Sequence, residues 1–103
     1  FEETDLCFRI KEAGFEIFFI PDAYVVHFQG QSSKKNLLEV RKNYFKSRYL
    51  YLIKRGYKGW QIKLLKHYFT ARLFVNALFI FEKNKSKLYL ELFKWHINYK
   101  TTK

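Results

Sequence analysis

The chain has no methionine, one proline, four glycines and one cysteine in 103 residues. So few breakers predict long helices with few turns, and a lone Cys7 excludes an internal disulfide. Acids are scarce after residue 33: only Glu39, Glu82 and Glu91 stand against eighteen Lys and Arg, a net charge of +15. Residues 1–33 instead hold six acids and two bases, a net of −4, so the chain is two electrostatic pieces. Long apolar runs are missing too. The most apolar stretch, residues 73–81, is interrupted by Asn76, whereas a bilayer-spanning helix needs about twenty apolar residues.

What is present is apolar and aromatic. Hydrophobic residues make up 49% and aromatics 21%, too rich for disorder and more aromatic surface than one small core can hide. Cys7 stands among apolar neighbours with no base beside it, which reads as a core residue in a reducing compartment and not as a catalytic thiol. No targeting peptide is visible. The chain opens at Phe1 with Glu2, Glu3 and Asp5 at its very edge, which suggests the C-terminal part of something longer.

Residues 5–13 place Leu6, Cys7, Ile10 and Ala13 on one helical face, and Gly14 follows where a left-handed cap is wanted. Glu2 and Glu3 stand just before this helix, where exposed N–H groups and the helix dipole favour negative charge. Residues 16–20 and 23–28 are β-branched and aromatic around Pro21-Asp22, predicting two strands and a turn, and residues 29–33 read as a loop. Beyond Asn36, the recurrence of Leu37, Val40, Tyr44 and Tyr51 predicts a long helix ending at Gly56 and Gly59. Two more helices are expected over 60–81 and 86–99, the latter with Leu88, Leu92, Trp95 and Tyr99 on one stripe.

Carboxylates at a helix start, with a histidine closing a strand two dozen residues later, suit removal of a proton beside a metal-bound phosphate. Each signal has a plain alternative: a Glu-Glu pair is commonly a solvated helix start, and a strand-end histidine is commonly structural. The sequence resembles a known family at this point. Glu2-Glu3-Thr4-Asp5-Leu6-Cys7-Phe8-Arg9, Gly14-Phe15, Ile20-Pro21-Asp22-Ala23, Val25-Val26-His27 and Gly30-Gln31-Ser32 are similar to the C-terminal end of the catalytic domain of family 2 glycosyltransferases, nearest the bacterial rhamnosyltransferase-like members. The likeness covers about a third of the chain.

The resemblance implies an α/β fragment: the C-terminal helix and strand pair of a GT-A nucleotide-diphospho-sugar transferase domain over residues 1–33, followed by a mainly α-helical, basic, aromatic-rich extension over 34–103. It implies an inverting transferase that moves a sugar from a nucleotide-diphospho-sugar to a hydroxyl acceptor, either a glycan or a lipid-linked one, in cell-surface polysaccharide synthesis. Glu3 falls on the general base, with Asp5 as its rival. Glu2, Arg9, Gly30 and Ser32 fall on acceptor or donor contacts, although Arg9 could equally pair with Asp5 or Glu12. His27 falls on a ligand of the divalent metal, Mg or Mn. Most of the metal and nucleotide site belongs to an upstream half with an Asp-x-Asp motif that this chain does not contain, so residues 1–103 alone are expected to be inactive.

The basic tail resembles family extensions more loosely, through Tyr44-Phe45-Lys46-Ser47-Arg48 and Lys54-Arg55-Gly56-Tyr57. Lys42, Lys46, Arg48, Lys54, Arg55, Lys63 and Lys66, with Trp60, suit an anionic membrane surface, where each cation contributes about 1 kcal/mol and aromatic rings favour the interface. That would place the protein at the inner face of the plasma membrane. Two alternatives stay open: a helical subdomain packing Phe69, Leu88, Leu92 and Trp95 onto the catalytic domain, or a binding module without catalysis for membrane or nucleic acid. The acidic first third and the lack of a recognition-module signature stand against nucleic acid.

Overall fold

The computed structural model describes residues 1–26 and 36–101, and the chain divides into two units, Phe1–Lys35 and Asn36–Lys103. In the first unit, α1 spans Glu2–Glu12. Gly14, at φ +83°, stops it: Gly14 N–H donates to Lys11 O and Phe15 N–H to Ile10 O, a left-handed glycine cap that satisfies two terminal carbonyls. α1 buries none of its residues, so Cys7, expected in a core, is exposed.

The expected strand pair does not form. Among the described residues there are four helices and no strand, so the α/β reading is corrected to an all-helical chain. The Pro21-Asp22 turn is present, closed by Ala23 N–H donating to Ile20 O at 3.3 Å, but the described residues on either side of it, 16–20 and 23–26, join no ladder. The physical reason lies in the runs themselves. Phe15, Ile17 and Phe19 would fall on one face of a strand and Phe18 and Ile20 on the other, the pattern of a strand covered on both sides. A lone two-stranded ribbon is marginal in water, and nothing among the described residues of this unit supplies the missing cover: Phe19 and Val25 are each 90% exposed.

The second unit is a three-helix assembly. α2 spans Leu37–Lys54, α3 Gly59–Phe79 and α4 Lys83–Asn98. The Asn36 side chain caps α2 by accepting from Glu39 N–H at 3.2 Å, and Gly56, at φ +76°, ends it with the same pair of bonds seen after α1, Gly56 N–H to Ile53 O and Tyr57 N–H to Leu52 O. At the next start, the Gln61 side chain accepts from Lys58 N–H at 2.8 Å. α3 and α4 run antiparallel, as two ties show. Ser86 Oγ near the start of α4 donates to Ala77 O near the end of α3, and Lys66 Nζ near the start of α3 donates to Ile97 O and Tyr99 O at the end of α4.

The core is Phe45, Tyr49, Ile62, Leu73 and Leu92. On α4, Leu88, Leu92, Trp95 and Tyr99 pack as their spacing predicts, but onto the other helices of this unit. On α2 the buried face is displaced by one residue from the stripe expected. Leu38, Phe45, Tyr49 and Leu52 face the core, while Leu37, Val40 and Tyr44 are exposed.

A buried polar relay crosses this core. Tyr49 of α2 lies 2.7 Å from His96 Nε2, and His96 Nδ1 lies 2.8 Å from Thr70 Oγ1 of α3. The Thr70 hydroxyl gives its one proton to Lys66 O, so it accepts from His96 Nδ1–H, and Nε2 accepts from the Tyr49 hydroxyl. Every member is satisfied with a neutral imidazole. His96 is 0% exposed, and burial, helped by the charge of Lys66, pushes its pKa down to about 4. Burial likewise raises that of Tyr49.

A lowered folded-state pKa means that the unfolded chain takes up the proton first. The stability involved, roughly 3 kcal/mol, is therefore complete above pH 6.5 and is lost as pH falls toward 4. Denaturant titrations should show wild-type stability falling from pH 7 to pH 5, while H96L shows little of that slope; a flat wild-type profile would contradict the relay. At pH 7, Y49F should cost about 1–3 kcal/mol by leaving Nε2 without its donor, and the Y49F/H96L pair should cost less than the sum of the two single changes.

Candidate functional site

The first turn of α1 separates the two rival bases. Glu3 is exposed, and its side chain makes no hydrogen bond or ion pair among the described residues. Asp5 accepts from Arg9 Nε at 3.1 Å, one helical turn on, and its side chain is only 17% exposed. Residues two apart point to different sides of a helix, so the two carboxylates do not compete for one position. A carboxylate that must take a proton from an incoming hydroxyl needs an accessible lone pair. Glu3 offers one, while Asp5 is held by a guanidinium.

Glu2 is exposed. Arg9 takes the intrahelical pairing that was its plain alternative. His27, Gly30 and Ser32 lie outside the described residues. Among the described residues no three His, Cys, Asp or Glu side chains converge in a way that could hold a metal ion.

In the helical unit the basic residues have separate tasks. Lys42 pairs with Glu39 at 2.6 Å, and Lys46 donates to Asn43 at 3.4 Å and sits 6.0 Å above the Trp95 ring. Lys54 closes α2, and Arg55 follows it, 5.8 Å from the Tyr51 ring. Trp60 and Lys63 are exposed on the first turns of α3. Lys66 has a structural task, because its ammonium caps the carbonyls that end α4 at 3.0 and 2.7 Å. Arg48 is sandwiched, with its guanidinium 4.8 Å from the Tyr44 ring and 4.5 Å from the Phe69 ring, and it donates to the Tyr44 hydroxyl.

Two features escaped the sequence reading. One is a cleft of about 210 Å³ between helices, where Arg48 is joined by Arg41 of α2 and Arg72 of α3 over a floor of Phe45, Leu73 and Leu92. Its signal was available, since Arg41, Tyr44 and Arg48 recur at i, i+3 and i+7 on one face. The other is the relay: His96 stands four residues after Leu92, inside the apolar stripe, and a histidine there is a mark of a buried polar contact.

A second surface lies on α3. Trp60, Leu64, Tyr68, Ala71, Val75 and Leu78 recur at intervals of three and four and are all exposed, with Lys63 and His67 exposed beside them. No helix among the described residues is long and apolar enough to cross a membrane, so this stripe is a face and not a span. The chain matches no protein-family model, and no curated protein or solved structure is significantly similar to it.

Proposed function

We propose that this chain carries the acceptor-activating carboxylate of an inverting sugar transferase and that its helical unit holds it against an anionic membrane surface. In this reading Glu3 takes the proton of the acceptor hydroxyl as that oxygen attacks the anomeric carbon. The bond to the nucleoside diphosphate breaks on the opposite face, so the anomeric configuration inverts. A divalent metal, with His27 among its ligands, would neutralise the departing diphosphate. The observation that carries the reading is the accessible carboxylate of Glu3 beside an Asp5 already committed to Arg9, within a string that resembles family 2 glycosyltransferases.

Glu3 and Asp5 supply the test. Expressed with whatever its reading frame provides upstream, the protein should release nucleoside diphosphate from a nucleotide-sugar in the presence of a hydroxyl acceptor. E3Q should lower kcat by about a hundredfold or more, whereas D5N should lower it far less. Wild-type turnover in E3Q would overturn the assignment.

The membrane half of the proposal rests on the exposed stripe of α3 within a +15 segment, an arrangement that places rings and aliphatic groups among headgroups and cations beside them. In sedimentation with phosphatidylglycerol-containing vesicles, binding should fall with rising salt, and L64E should weaken it about tenfold, the effect of withdrawing one buried leucine. Equal binding by L64E, or binding to random-sequence DNA without binding to vesicles, would count against it.

A further inference from the structure

We propose that the cleft lined by α2, α3 and α4 is a binding site for a diphosphate group, free or carried on a lipid; this stands independently of the sugar-transfer reading. Its lining includes three arginines, Arg41, Arg48 and Arg72, and contains no carboxylate. Arg41 and Arg72 are exposed and make no ion pair or hydrogen bond among the described residues. Three arginines on one concavity without a carboxylate in its lining make the cleft a favourable place for an anion.

Two of the three arginines have room to adjust, and the third is fixed. The Arg48 guanidinium lies 4.8 Å from the Tyr44 ring and 4.5 Å from the Phe69 ring and donates to the Tyr44 hydroxyl, which holds it in place, and its remaining N–H groups suit phosphate oxygens. The floor is rigid as well. Phe45 and Leu92 belong to the core, and the Phe45 ring lies 4.8 Å from the His96 ring of the buried relay.

Size and charge select the ligand. A single carboxylate is satisfied by one bidentate arginine, whereas a diphosphate has enough oxygens for three. At about 210 Å³ the cleft is smaller than the roughly 300–1,000 Å³ of pockets that enclose a whole drug-sized molecule, so it takes the charged group and leaves the rest of the ligand outside. Asn76 and Tyr89 at the rim add neutral polar partners.

Calorimetry and thermal melting of the full 103-residue chain with inorganic pyrophosphate provide the test. Saturable binding and a rise in Tm are expected, neither of which sodium chloride at equal ionic strength reproduces. R41Q and R72Q should each weaken binding about tenfold or more, the effect of one charge-assisted contact, whereas K87Q and K94Q, outside the cleft, should stay close to wild type. Equal losses in all four variants would reduce the effect to bulk charge and overturn the site, as would unchanged binding in R41Q and R72Q. Vesicles carrying diacylglycerol pyrophosphate separate the sources. Release of vesicle-bound chain by pyrophosphate, abolished in R72Q, assigns a lipid-borne phosphate, and vesicle binding indifferent to pyrophosphate assigns the free anion.

Discussion

The hydrogen-bonded line from Tyr49 through His96 and Thr70 to Lys66 O is the constraint on which the helical unit depends. It joins one residue from each of three helices and accepts only one arrangement of protons. Apolar packing alone would let α2 slide or rotate at modest cost, because its hydrophobic residues surround most of the helix. A buried hydroxyl that must meet a buried imidazole removes that freedom, since any other register leaves polar groups unpaired in the core. The register so fixed sets Phe45 against His96 and leaves Arg41, Tyr44 and Arg48 facing the cleft.

The same register explains how Lys66 behaves. Its ammonium is drawn to the carbonyls at the end of α4, where a positive charge is favoured by the helix dipole. Held there, it also discourages protonation of His96. A residue that reads as one more surface cation therefore helps to close the bundle and to keep the relay neutral.

Local chemistry was legible in the sequence and long-range partnership was not. Gly14 and Gly56 announced the ends of α1 and α2, and Leu88, Leu92, Trp95 and Tyr99 announced the inner face of α4, because caps and helical spacing act over a few residues. The buried face of α2 was misplaced by one residue, since aromatics lie on several of its sides and only the partner helices decide between Tyr44 and Phe45. Residues 16–20 carry a strand's composition without forming one, because a ladder needs a second strand and a cover that composition cannot supply. At the candidate base, sequence left Glu3 and Asp5 as rivals. The structure adds that Asp5 is paired with Arg9, a pairing the sequence left open between Asp5 and Glu12.

The central claim is that His96 is a neutral imidazole with its proton on Nδ1, locked between Thr70 and Tyr49. Nitrogen-detected NMR of the imidazole through a pH titration tests it most directly. The account predicts a protonated Nδ1, an unprotonated Nε2, and no second proton until pH falls to about 4. A proton on Nε2 at neutral pH, or titration near 6.5 like a solvent-exposed histidine, would contradict it.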